Sequence, residues 1–306
     1  MHERSSTFHL PVLLAPVLDA ARGARRAVDA TLGDGGHAAA LLEEGIEILG
    51  IDRDPDALAV SRARLGQNRV EYLEASYASA EALAAVQKFG PDFILLDLGV
   101  SSRQLDQEAR GFTFRPGAPL DMRMAATGNS AADILNSASA GDLEALFRDY
   151  ADERRARRLA SEIVRRRVRQ AFTTSDDLVN AIRATLGPRS GPSDFARLFQ
   201  AVRMAVNDEP AELERGLTGL RDALTSGGRL SVITYHSGED RLVKQTFREW
   251  ARRCVCPPEL PVCICRGRSL GRVEPRKPIV PEAVELAANP RARSAKLRIF
   301  QLDDAA

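Results

Sequence analysis

The 306-residue chain has no long apolar run, little cysteine and almost no excess of charge of either sign. None of its hydrophobic stretches approaches the roughly 20 residues that a membrane-spanning helix needs, which excludes a helical membrane protein. The start, Met1-His2-Glu3-Arg4, lacks the charged-then-apolar layout of a signal peptide. Four cysteines in a chain of this length do not make a secreted disulfide framework. With 43 Lys and Arg against 42 Asp and Glu, the formal net charge is +1, and total charge selects no polyanionic partner. These absences point to a soluble, cytoplasmic protein. What is there is a 44% hydrophobic fraction, enough for a sizeable core in one or two domains. Disordered and collagenous classes are excluded by the same figure.

The charge is unevenly spread. Arg268, Arg272, Arg276, Lys277, Arg291, Arg293, Lys296 and Arg298 outnumber the three glutamates of the same stretch. A second run, Arg154-Arg155-Ala156-Arg157-Arg158 followed by Arg165-Arg166-Arg167, sits mid-chain. Clusters of this kind suit a polyanion such as nucleic acid, and equally a solvated helix face.

The first hundred residues alternate between strand and helix signals. Strands are expected at Ala27–Thr31, Ile46–Asp52, Arg69–Leu73 and Phe93–Asp97, with helices from His37 to Glu44 and from Pro55, capped by Asp54, to about Leu65. Phe93-Ile94-Leu95-Leu96 shows no polar alternation, the mark of a strand covered on both faces. The rhythm predicts an α/β domain with a parallel sheet. After Asp97 it gives way to a turn-rich entry and then amphipathic helices, including Leu143–Val168 and Ser175–Leu186, with Ser190–Ser193 as a loop. It resumes with a helix at Ala211–Leu224, a strand at Arg229–Thr234, a helix from Glu239 to about Arg253 and a last strand at Lys296–Leu302. The expected organisation is one α/β domain, residues 1–107 and 210–306, with a helical domain at 108–209 inserted after the fourth strand.

Asp29-Ala30-Thr31-Leu32-Gly33-Asp34-Gly35-Gly36-His37 ends the first strand. Glycines here permit open φ values and close backbone approach, and the amides of Gly35, Gly36 and His37 open a helix whose dipole favours an anionic group. Asp52, at the end of the second strand, is placed to accept both hydroxyls of a ribose. Gly33-x-Gly35-x-x-Ala38 also fits the dinucleotide fingerprint, so an NAD-linked oxidoreductase competes. The acid at Asp29 favours S-adenosylmethionine, whose sulfonium and ammonium gain from a nearby carboxylate as phosphates do not. Asp97 ends the fourth strand, within reach of cofactor and acceptor or, alternatively, as a cap of the turn that follows. Cys254-x-Cys256 and Cys263-x-Cys265 invite a zinc reading, but a one-residue gap strains both thiols toward one metal. Reduced thiols beneath Pro257–Pro261 are the competing account, and no metal ligand is assigned.

Seven motifs then occur in order: the glycine turn, Leu95–Asp106, Arg110-Gly111-Phe112, Pro119–Met124, Phe199–Arg203, His236–Arg241 and Asn289–Ser294. In these, from His9 to Arg298, the chain resembles the bacterial 16S rRNA (cytosine-N4)-methyltransferase family, RsmH (MraW). The resemblance implies a class I S-adenosylmethionine-dependent methyltransferase, Rossmann-like, that makes N4-methylcytidine in the decoding region of 16S rRNA. It places cofactor contacts on Gly35, Gly36 and His37, the ribose on Asp52, the adenine on Tyr77, and the methyl end on Asp97 and Gln104. Asp97 is the expected catalytic residue. The implied partner is the small ribosomal subunit, met by a monomer or weak homodimer with no membrane. Gly238 and Pro210 stand where the family pattern suggests leucine. The acid-Pro-Pro-aromatic pattern of DNA amino-methyltransferases is missing, since Leu98-Gly99-Val100 follows Asp97. A flipped cytosine therefore needs an aromatic from elsewhere, with Phe112, Phe114, Tyr235 and His236 as candidates. A non-catalytic RNA-binding protein with a vestigial cofactor fold is the remaining rival, and the intact Asp97, Gln104 and Gly35-Gly36 argue against it.

Overall fold

The structure, a computed structural model, describes residues 10–256, 262, 264, 265 and 267–304. Cys263 and the loop Pro257–Pro261 lie outside the described residues. In chain order the first elements are α1 (Leu14–Ala20), β1 (Arg26–Asp29), α2 (Gly36–Glu43), β2 (Glu47–Asp52), α3 (Pro55–Leu65), β3 (Val70–Glu74), α4 (Ala80–Phe89) and β4 (Phe93–Asp97). Helices α5 (Ser102–Asp106), α6 (Ala131–Ser137), α7 (Ala140–Ala151), α8 (Ala156–Arg167), α9 (Ser175–Leu186) and α10 (Pro192–Val206) follow. The chain ends with α11 (Glu209–Asp222), β5 (Arg229–Thr234), α12 (Ser237–Trp250), β6 (Gly271–Val273), α13 (Ala283–Ala288) and β7 (Lys296–Leu302). Contacts divide it into two compact units, Met1–Gly99 with Glu212–Ala306, and Val100–Ala211. The expected insert, 108–209, falls inside the second.

The first unit is a seven-stranded sheet in the order β3-β2-β1-β4-β5-β7-β6, in which β7 alone runs against the others. The strand–helix rhythm led to the expectation of an α/β domain with a parallel sheet, and the order is the Rossmann-like one that the resemblance implied. From β1 the chain winds outward to β3 and then returns to β4 on β1's other side. That reversal makes the carboxyl ends of β1 and β4 the switch point, where open α/β sheets bind ligands.

Both faces of the sheet are covered, which explains the unbroken apolar strands. In β4, Ile94 and Leu96 join one cluster with Val86, Leu217 and Phe247, from α4, α11 and α12. Phe93 and Leu95 point the other way, to Val17, Leu41 and Leu58 from α1, α2 and α3. Each such side chain, fully buried, contributes about 1.5–3 kcal/mol. The lone tryptophan, Trp250, packs tilted against Phe247 and edge-on against Phe300 at centroid distances of 5.4 and 5.2 Å, so scarce aromatics are spent at one end of this core.

The second unit packs α6 to α10 around Leu143, Phe147, Leu159, Ile163, Leu178, Ile182, Leu198 and Val202. Serines 130 and 139 start α6 and α7 with reciprocal capping boxes, each closed by an aspartate three residues on. The stretch read as one helix from Leu143 to Val168 is two, because Asp152 adopts a left-handed φ of 49° and turns the chain. Ser190–Ser193 is the entry to α10, with Pro192 at the first helical position.

Candidate active site

The site is built at the switch point of the first unit. Asp29 ends β1, Asp52 ends β2 and Asp97 ends β4. Thr31 ties two of these ends together: its Oγ1 accepts the Asp97 amide at 2.7 Å, while the Ala30 amide donates to the Leu95 carbonyl at 2.9 Å. Asp52 staples the glycine turn to β2, its two oxygens accepting the amides of Gly33 and Asp54, each at 2.8 Å. Helix α3 grips the same turn, with Ser61 Oγ donating to the Gly33 carbonyl at 2.6 Å and Arg64 Nη1 to the Asp34 carbonyl at 3.0 Å. Thr31 stands inside the motif with no role legible from it, and Ser61 and Arg64 carry no sequence signal. Their roles depend on which strands and helices become neighbours.

The open φ values expected of this turn are found at Gly33 and Gly35, and packing adds a second demand for small residues. A Cβ on Gly35, whose φ is +71°, would meet Leu65 Cδ1 at 2.9 Å, and one on Gly36 would meet Pro11 Cγ at 2.7 Å. These two residues admit the protein's own packing around the turn. Gly33, at φ +53°, has nothing nearer than the Thr31 carbonyl at 3.9 Å, so its freedom is demanded by backbone conformation.

Asp97 sits between two aromatic partners. Tyr235, just beyond β5, donates its hydroxyl to Asp97 Oδ1 at 2.9 Å, and His37 Nε2 lies 3.5 Å from Oδ2. His37 is 5% exposed, and neither of its ring nitrogens has a hydrogen-bond partner among the described residues. Burial and the adjacent Asp97 carboxyl push the Tyr235 hydroxyl well above its usual range, so it stays a donor. Beneath them Asp29 is 1% exposed. Burial pushes its carboxyl up to about 7, the His37 ring partly offsets this, and Asp97 adds to it. Burial likewise raises Asp52, against the pull of the amides of Asp54 and Gly33.

Gly35, Gly36, His37, Asp52 and Asp97 thus gather at one end of the sheet. Tyr77 follows β3 and is buried in the core, its ring edge so close to α11 that a Cβ on Gly216 would strike Tyr77 Cε2 at 2.5 Å. Gln104 belongs to the second unit, where its Oε1 accepts the Ser101 amide at 3.0 Å in the capping box of α5. Of the four aromatics considered for base stacking, Phe114 packs edge-on against Phe195 and Phe199 in the helical core. His236 caps α12, its Nδ1 accepting the Glu239 amide at 3.4 Å. Phe112 lies 6.0 Å from the Arg110 guanidinium, and Tyr235 is held by Asp97.

The remaining motifs of the second unit serve as braces. Arg110 donates to the carbonyls of Arg123 and Met124, Arg123 pairs with Asp121, and Asn207 bridges Met122 and Met124. Arg203 forks onto Glu209 with two bonds of 2.9 Å. A Cβ on Gly111 would strike the Pro119 carbonyl.

Orphaned ring nitrogens on His37, a buried carboxyl at Asp29, and acceptor capacity left on Asp52 and Asp97 fit a ligand that brings hydroxyls and a cation. With the strand order and the acids at β1, β2 and β4, they define a class I S-adenosylmethionine-dependent methyltransferase. The chain belongs to the MraW methylase family, whose pattern it matches over residues 6–303. A ribosomal RNA small subunit methyltransferase H from Gemmatimonas aurantiaca is 55% identical over 303 residues, covering 97% of this chain and 96% of its own length. One from Heliobacterium modesticaldum is 44% identical, covering 95% and 97%. One from Citrifermentans bemidjiense, also 44% identical, covers 96% and 98%.

Proposed function

We propose that this protein methylates the exocyclic N4 amine of a cytidine in the decoding region of 16S ribosomal RNA, with S-adenosylmethionine as donor. The observation that carries the reading is the Tyr235–Asp97–His37 cluster over Asp29 at the switch point. When bound, the cofactor supplies a methyl group made electrophilic by its sulfonium. Gly35, Gly36 and His37 hold it at the glycine turn, Asp52 takes the ribose through the lone pairs its amide bonds leave over, and Tyr77 lies beside the adenine. Asp97 and Gln104 serve the methionine and methyl end. The second unit is the inserted helical domain, and the protein acts in the cytoplasm on the small ribosomal subunit.

Cytosine's amine is a poor nucleophile because its lone pair is delocalised into the ring. Asp97 turns that lone pair outward by accepting a hydrogen bond from the amine, and the bond strengthens as nitrogen becomes cationic. Tyr235, bound to Oδ1, holds the carboxylate in one orientation and leaves Oδ2 to the substrate. No strong base is needed before transfer, only a proton acceptor after it.

The test is nucleoside mass spectrometry of 16S rRNA from a deletion strain carrying the wild-type gene or Asp97→Asn. The wild type should restore N4-methylcytidine, and Asp97→Asn should slow single-turnover transfer by about 10²-fold. A deletion strain that keeps its N4-methylcytidine defeats the assignment. A wild-type rate in Asp97→Asn returns Asp97 to a capping role.

A further inference from the structure

Cys254, Cys256 and Cys265 lie in the stretch between α12 and β6, and their sulfur atoms all lie within 4.8 Å of one another. Cys254 Sγ and Cys265 Sγ are 3.9 Å apart. A disulfide requires about 2.05 Å. Two thiolates on one tetrahedral ion, with metal–sulfur bonds of about 2.3 Å, stand about 3.8 Å apart. An iron–sulfur cluster spreads its thiolates over several irons and would hold them farther apart than this group allows.

The one-residue gap that counted against a metal is compatible with this geometry. Cys254 and Cys256 stand two residues apart and Cys265 nine residues further on, and their three sulfurs converge on one point. Two backbone amides are already directed at sulfur across the loop. Val255 N–H donates to Cys265 Sγ and Ile264 N–H donates to Cys256 Sγ, both at 3.4 Å. These bonds fix the orientation of the two sulfurs they reach. Cys254 is exposed and the other two are half-buried, so an ion can enter from solvent.

We propose that Cys254, Cys256 and Cys265 bind a single zinc-type ion that clips the chain between α12 and β6. Each thiol releases its proton to solvent as its sulfur–metal bond forms, leaving three thiolates on a dication with a net charge of −1. The fourth tetrahedral position takes a further donor, for which water suffices.

The test uses the full-length chain without a polyhistidine tag, purified in reductant and stripped with a chelator. Zinc should bind at one ion per chain and slow alkylation of Cys254, Cys256 and Cys265, read by peptide mass spectrometry. Cobalt in its place should give thiolate charge-transfer absorption and the d–d bands of a tetrahedral site. Cys254→Ser or Cys265→Ser should weaken zinc binding by about 100-fold or more. The proposal is overturned if wild-type protein gives no charge-transfer band with cobalt, or if zinc leaves alkylation unchanged. It is also overturned if a Cys254–Cys265 disulfide forms in preference to zinc binding. The wild-type cobalt spectrum requires no variant, so a serine variant that fails to fold does not protect the idea.

Discussion

Asp29 concentrates the electrostatics of the site in one side chain. Its carboxyl is 1% exposed and holds its proton up to about pH 7, chiefly because burial penalises the charge. In the unfolded chain the same group ionises near pH 4. Between those values the native state binds more protons than the unfolded one, so Asp29's share of stability declines as pH rises through this window and levels off above about 7. A cationic ligand reverses the preference, because it favours the ionised carboxylate. S-adenosylmethionine should therefore bind about tenfold more weakly at pH 6 than on the plateau above 7, and release close to one proton per molecule bound at pH 6. Calorimetry in buffers of different ionisation enthalpy measures both quantities. Asp29→Asn should abolish the pH dependence, and a wild-type affinity that is flat from pH 6 to 8 would show that Asp29 does not face the cation. The acid was legible in the motif. Its burial was not, because that follows from β4 and α2 closing over it.

At the scale of elements, Asp240 of α12 binds β7 to the sheet's covering layer. Arg298 Nε reaches its Oδ1 at 2.7 Å and Lys296 Nζ its Oδ2 at 3.1 Å. Burial alone would raise the Asp240 carboxyl, but the two cations more than offset this and hold it below the usual range. Arg298 is 6% exposed, whereas the Lys296 side chain is 39% exposed and screened by solvent, so Arg298 dominates. Asp240→Asn leaves a buried guanidinium short of its charge partner and should cost about 3 kcal/mol. For a unit of this size that lowers Tm by roughly 6–12 °C in a thermal melt. A shift under about 2 °C would show that solvent reaches the pair. Lys296, read with Arg291 and Arg293 as part of a basic cluster, is therefore engaged within the fold. Sequence patterning revealed the long elements, most plainly β4, where both-face burial leaves no polar alternation. It missed β6, whose three residues carry no period, along with α1 and α4. Nor could it separate α7 from α8, because the charged residues 152–155 continue a polar helix face until Asp152 turns left-handed.

For the molecule as a whole, a net charge of +1 means that affinity for a polyanion must come from local groups. The mid-chain arginines divide into two kinds. Arg165 and Arg166 both pair with Glu162, Arg155 donates to the carbonyls of Thr185 and Leu186, and Arg167 donates to those of Leu135 and Ala138. Arg154, Arg157 and Arg158 are exposed on the surface of the second unit. The first group braces the helices, and the second is available to phosphates. Each phosphate contact releases counterions and adds about 0.7–0.9 to the slope of log affinity against log salt. Replacing Arg154, Arg157 and Arg158 together by alanine should flatten that slope for 16S rRNA by about two units, with S-adenosylmethionine affinity and Tm unchanged. Arg166→Ala should instead lower Tm modestly, through loss of the Glu162 pair and the stem's packing, with a smaller change in slope. If the triple variant keeps the wild-type slope, the mid-chain run is a solvated face, and phosphate contacts must be sought at exposed cations elsewhere, beginning with Arg291 and Arg293.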